Sequence, residues 1–179
     1  MDLPLASDII HDMAADHRQH SADLLGDRDP IGVLRSTARR LEDITTAHSA
    51  DVLRQRPFAG KWTPNEILGH LVDHEIVSMC RIRTMRFDDV PWLSRYDQER
   101  WVQMQSHNER EPDELVRRFS ELRTLNLEQY ESLTPDELTR TKPRGDGDEM
   151  ALADLMRVHA GHDLSHLNQI DRYLENLVR

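Results

Sequence analysis

An all-α fold, a bundle of four long helices, is predicted by three features of the 179-residue chain. Seven glycines and eight prolines leave little turn material, which argues for few, long elements rather than many short strands. Apolar residues recur at three- and four-residue steps through four separate stretches, the period of a helix with one buried face. Three of those stretches open with a proline, where the missing N–H costs nothing and the ring presets φ. A chain of this length buries a core without staples, and its single cysteine, Cys80, excludes an internal disulfide.

Residues 1–27 read as a short N-terminal extension ahead of a bundle domain at 28–179. The run from Ser7 to Leu25 offers Ile9, Ile10, Met13, Leu24 and Leu25 as one side of a helix. Its polar middle, with His11, His17 and His20, fits a loosely attached arm equally well. The first bundle helix starts at Asp29-Pro30 and carries the stripe Ile31, Leu34, Ala38, Leu41, Thr45, His48 and Val52. The second begins at the capping box Thr63-Pro64-Asn65-Glu66 and runs to about Phe87. A long connection at 88–110 contains a short helix near Asp97–Gln105. The third bundle helix starts at Glu111-Pro112, with Leu115, Phe119, Leu122, Asn126, Tyr130 and Leu133 on its stripe. A second capping box, Thr134-Pro135-Asp136-Glu137, opens a short helix, and a Gly/Asp loop at 143–148 turns into the fourth bundle helix, from about Met150 to Val178. With two long crossovers, the helices need not follow simple up-down-up-down order.

Thirty-three acidic against 23 basic residues give a formal charge of −10 with no basic cluster. Such a chain is a poor nucleic-acid binder, because phosphate contacts supply most non-specific affinity. No apolar run approaches the roughly 20 residues of a membrane span, and the start lacks the order of a secretory signal. Cytoplasmic residence is the expectation, and one cysteine suits a reducing compartment.

The histidines carry the chemistry. His159, His162 and His166 continue the buried stripe of Leu152, Leu155, Ile170, Tyr173 and Leu177 on the fourth helix. A lone histidine on such a face is usually a core residue satisfied by its neighbours. Three on one seam are costly to desolvate unless every ring nitrogen finds a partner, and a shared metal ion removes that cost. His-x-x-x-His sets two rings one turn apart on one side of a helix, as chelation requires. The second helix repeats the pattern with His70 and His74, flanked by Asp73 and Glu75, and His48 falls on the first helix's stripe. The residues thus point to a metal site between the second and fourth helices without choosing among five histidines. Cys80 is read as a small buried hydrophobe rather than a nucleophile. Asp146 and its neighbours lack the length and distal glutamate of a calcium loop. No phosphate loop or nucleophile elbow is present, and Trp62, Trp92 and Trp101 fit a pocket wall or core packing equally.

Two segments resemble a known family. Trp62-Thr63-Pro64-Asn65-Glu66-Ile67-Leu68-Gly69-His70-Leu71 is similar to the W-(S/T)-x-x-E-ϕ-ϕ-x-H-ϕ helix start of the DinB/YfiT-like superfamily of metal-binding helical bundles. His162-Asp163-Leu164-Ser165-His166-Leu167-Asn168-Gln169-Ile170 resembles its H-x-x-x-H-x-x-Q-ϕ signature, and the likeness spans about residues 30–178. The resemblance implies an up-down-down-up bundle, often a homodimer. It implies His70, His162 and His166 as ligands of one divalent ion, zinc or nickel, with His74, His159 and His48 outside the ligand set. Members include thiol S-transferases that use low-molecular-weight thiols and a thiol-dependent isomerase. The resemblance therefore implies a small-molecule substrate, possible thiol transfer or hydrolysis, or a non-catalytic metal-stabilised bundle acting as a binding or stress protein.

Three neutral ligands leave a coordination position open, the arrangement of catalytic zinc, which activates water or a thiol. Asp73, His74, Glu75, His159 and Asp163 are candidates to orient ligands or move protons, although adjacency to the histidines also lets Glu75 and Asp163 face solvent, which is the expectation for Asp163. Of Arg81, Arg83 and Arg86, Arg81 continues the His70–His74–Val77 face and is the candidate for a substrate carboxylate.

Overall fold

A computed structural model describes residues 19–89, 96–143 and 149–178. The expectations for residues 1–18, for Trp92 and for the tip of the Gly/Asp loop lie outside the described residues. Helix α1 (Pro30–Ala47) starts where predicted, with the Asp29 carboxylate accepting from the amides of Ile31 and Gly32. It stops before Val52, contrary to expectation. Ser49 accepts the Val52 amide and starts a separate turn, α2 (Ala50–Leu53). A serine that bonds its own local backbone competes with helix continuation, so the apolar spacing carried across a break in the chain direction.

Helix α3 (Pro64–Phe87) has both halves of its capping box: Glu66 N–H donates to Thr63 Oγ1 at 3.0 Å, and Thr63 N–H donates to Glu66 Oε2 at 2.7 Å. In the connection that follows, α4 (Gln98–Met104) is capped by Asp97 and leads to a 3-10 turn at His107–Glu109. Helix α5 (Pro112–Glu131) comes next, then the second capping box and the short α6 (Pro135–Leu138). The segment expected to run straight into the last helix instead forms a two-stranded antiparallel ribbon, β1 (Thr141–Pro143) with β2 (Glu149–Ala151). Met150 thus pairs with Lys142 in a strand, and α7 (Leu152–Leu177) begins two residues later than predicted.

Two apolar layers give the order of the bundle. One gathers Leu41 and Ile44 from the end of α1, Ile67 and Leu71 from the start of α3, Leu115 and Phe119 from the start of α5, and Ile170 and Tyr173 from the end of α7. The other gathers Leu34 from the start of α1, Ile82 and Met85 from the end of α3, Tyr130 from the end of α5 and Leu155 from the start of α7. Helices α1 and α7 therefore run one way and α3 and α5 the other, which is the up-down-down-up order. Among the described residues no helix is long and apolar enough to cross a membrane.

The chain before α1 is helical over residues 19–25. Leu25 is buried in the second apolar layer, so this stretch is packed rather than a loose arm. Gly161 makes the approach possible, since a Cβ there would sit 2.0 Å from the Ser21 carbonyl oxygen. Gly161→Ala is expected to lower stability by about 1–3 kcal/mol through overpacking. The same substitution should raise amide exchange at residues 21–25 above that of α1, read by hydrogen-exchange mass spectrometry.

Candidate metal centre

The α3 stripe delivers His70 and His74 one turn apart, and the α7 stripe delivers His159, His162 and His166. Because α3 and α7 are antiparallel neighbours, the start of one meets the second half of the other. His70 Nε2 lies 3.1 Å from His162 Nε2, and one ligand atom from each of His70, His162 and His166 lies within 4.8 Å of the others. A tetrahedral ion with bonds of about 2.0–2.1 Å holds its donors about 3.3 Å apart, so the cluster fits one ion. Among the described residues no fourth side chain joins this group.

The donor set is chemically suited to a cation. Burial, followed by the repulsion of neighbouring imidazoles, holds His162 well below the ordinary histidine pKa, so its ring stays neutral. His166 Nδ1 pairs with Gln169 Oε1 at 2.9 Å, and Gln169 Nε2 donates to the Tyr173 hydroxyl at 2.9 Å. That amide orientation assigns the proton to His166 Nδ1 and leaves Nε2 as the atom that could take an ion. The glutamine of the sequence signature thus has a physical reason. Gln169→Ala should weaken zinc binding by about 10–100-fold with little change in fold, as measured by chelator competition.

Trp62 lies against two of the rings, 4.9 Å from His70 and 6.3 Å from His166 between centroids, and its Nε1–H donates to Glu99 on α4 at 2.9 Å. His74 stacks on His162 with centroids 3.8 Å apart and rings inclined by 17°, and burial holds its pKa well below the usual value. Arg81 is half-buried on the same α3 stripe; its charge depresses His74, and burial lowers its own pKa. His48 is the C-cap of α1 and takes no part in the cluster. Cys80 is exposed, not the buried hydrophobe expected, because it sits on the outward side of α3.

Asp163, expected at the surface, is buried, and so is Glu75. Asp163 is 0% exposed and Glu75 0% exposed. Both are held by Arg123 of α5, which the sequence reading missed: Arg123 Nη2 donates to Glu75 Oε1 at 2.6 Å and Nη1 to Asp163 Oδ2 at 2.6 Å. His159 belongs to this network, with Nε2 donating to Glu75 Oε1 at 2.8 Å. Glu75, His159 and Asp163 are close enough to hold a metal ion as well. The Arg123 guanidinium, bonded to both carboxylates, already supplies the positive charge there. Asp73, the remaining acidic candidate, instead pairs with His107 Nε2 at 2.8 Å and accepts two bonds from Gln105.

His159 and Arg123 hold the Glu75 carboxyl well below the usual carboxylate range, outweighing its burial. A carboxyl depressed on folding adds stability that is present above its unfolded pKa of about 4.3 and is lost as pH falls below it. Thermal unfolding should therefore show a falling midpoint below about pH 4, and Glu75→Gln should flatten that slope.

Residues 34–170 match the model of the DinB superfamily. Among solved structures, the fold is similar to that of YfiT from Bacillus subtilis, described as a probable metal-dependent hydrolase with an unusual four-helix bundle topology. The TM-score is 0.72, covering 80% of this chain and 84% of that one at 19% sequence identity. A comparison with curated proteins finds no match.

Proposed function

The chain belongs to the DinB superfamily, and on that premise we propose that it is a metal-dependent enzyme. In this reading His70, His162 and His166 hold one divalent ion, zinc or nickel, and the substrate is a small electrophilic molecule. The observation that carries it is the convergence of three imidazoles, with His70 and His162 Nε2 only 3.1 Å apart and no fourth described side chain in the group. A divalent ion held by these three neutral imidazoles would supply the Lewis acidity that activates water or a low-molecular-weight thiol near neutral pH. The surrounding side chains then have defined tasks. Gln169 and Tyr173 fix the His166 ring. His74, neutral and stacked on His162, orients that ring. Arg81, further along the same α3 face, receives an anionic group of the substrate. Residues 28–179 carry the site, residues 1–27 are an extension, and the protein works as a cytoplasmic homodimer.

A second reading, a non-catalytic metal-stabilised binding protein, is favoured by one observation, the Trp62 indole lying against His70 and His166. Turnover of electrophilic model substrates with several thiols separates the two. Metal-loaded protein should conjugate thiol to substrate, while chelated protein and His162→Ala should not. Thiol-independent hydrolysis by the loaded protein assigns water as the nucleophile. Absence of metal-dependent turnover across the panel replaces the enzymatic reading with the binding one.

A further inference from the structure

The buried ion network touches all four bundle helices at one level, and on α7 its Asp163 directly follows His162 of the histidine cluster. We propose that Arg123, Glu75 and Asp163 are positioning residues that set the register at which α3 and α7 present their histidines to a metal ion. The proposal rests on the reading of His70, His162 and His166 as ligands.

Arg123 reaches Glu75 on α3 through two bonds, Nε to Oε2 at 3.0 Å and Nη2 to Oε1 at 2.6 Å. It reaches Asp163 on α7 through two more, Nη1 to Oδ2 at 2.6 Å and Nη2 to Oδ1 at 3.1 Å. Helix α1 joins through the Leu34 carbonyl, which accepts from Arg123 Nη1 at 2.8 Å, and through Thr37 Oγ1, which donates to Asp163 Oδ2 at 2.8 Å. On α5 itself, Asn126 Nδ2 donates to Glu75 Oε2 at 2.9 Å. One planar, rigid fork thus fixes the spacing and axial level of two helices.

The sequence makes that fixing relevant to the metal. Asp163 directly follows His162, and on α3 Glu75 follows His74, whose ring stacks on His162, and stands five residues beyond His70. A helix is a rigid rod that advances by about 1.5 Å and turns by about 100° per residue, so fixing Asp163 fixes the height and direction of His162, and fixing Glu75 fixes the axial level of the α3 segment that carries His70. The apolar layers above and below gain from burial in any orientation, whereas the planar fork bonds each carboxylate in one geometry and so adds a directional constraint. A slide of one residue, about 1.5 Å, is large against the 3.1 Å between His70 Nε2 and His162 Nε2. Stability alone does not explain the network, since well-packed apolar side chains in place of a buried ion triad are often neutral or stabilising. The best-attested use of such groups is to fix register.

The test uses two variants of the full chain. In the first, Arg123→Met, Glu75→Met and Asp163→Leu are combined, removing the three charged members together so that no buried charge is stranded. In the second, Arg123→Lys keeps length and charge but loses the fork. Zinc dissociation constants come from chelator competition, cobalt-substituted protein is followed by visible absorption, and folding is followed by circular dichroism. Both variants should fold, bind zinc about 10–100-fold more weakly than the parent and show an altered cobalt spectrum. A folded variant with the parent's zinc constant and cobalt spectrum overturns the proposal. The lysine variant decides alone if the triple variant does not fold. A parent that takes up no zinc overturns the ligand assignment and the proposal with it, whereas equal binding by parent and variants overturns the proposal alone.

Discussion

Arg123→Ala is expected to lower the free energy of unfolding by about 3–5 kcal/mol, because it leaves two buried carboxylates facing each other without a counter-charge. Glu75 and Asp163 each accept two bonds from the guanidinium, and both are 0% exposed, so their charges depend on Arg123 rather than on bulk solvent. The same two carboxylates hold Arg123 charged against its own burial, raising its pKa. A loss of this size is a large part of the ~5–15 kcal/mol that keeps a domain folded. Urea unfolding measures it directly. The loss should shrink as pH falls toward 4, since protonating the stranded carboxyls removes the uncompensated charge. A change below about 1 kcal/mol at neutral pH would mean that the interior reorganises around the missing group.

Purified protein is expected to carry about one equivalent of a divalent ion, and His162→Ala and His166→Ala should each lose nearly all of it. His48→Ala is the control, because this histidine caps α1 and lies outside the cluster. Elemental analysis gives the stoichiometry. An independent readout comes from linkage: an ion that binds only the folded protein raises its melting temperature, so a chelator should lower the midpoint of the parent and leave that of His162→Ala unchanged. Equal metal content in His166→Ala and His48→Ala would reject the assignment.

Most of the fold could be read from capping and periodicity. The proline-led starts of α1, α3 and α5 and the capping boxes at Thr63 and Thr134 are local signals, and each stands where the sequence places it. The errors came where a local pattern is ambiguous. Val52 keeps the spacing of α1 although Ser49 has already ended the helix, and Met150 keeps the spacing of α7 although it lies in a strand. The histidines were legible because they repeat along stripes. Arg123 was not, because a charged residue beside a stripe ordinarily faces water and only its partners on three other helices show otherwise. The one available signal was its place between Phe119 and Asn126, both buried. Asp163 was misjudged for the same reason, since sequence adjacency to a ligand says nothing about the helix that packs against it.

The bundle order has a consequence for how the protein is made. Helix α7 is the last of the four to be synthesised, and it brings His162, His166 and Asp163 together. Until it docks, the cradle formed by the earlier helices has one of its three histidines, and Arg123 has one of its two carboxylates. A nascent chain lacking α7 lacks two of the three clustered histidines, and its exposed interior is the state most open to misassembly during translation. The pairing of α7 with α1, whose sequences are more than a hundred residues apart, closes the longest loop in the bundle and belongs to the slow class of folding events. On the proposed ligand assignment, metal uptake would mark completion of the fold, and a chain arrested before α7 would be distinguishable from a finished one by its failure to take up the ion.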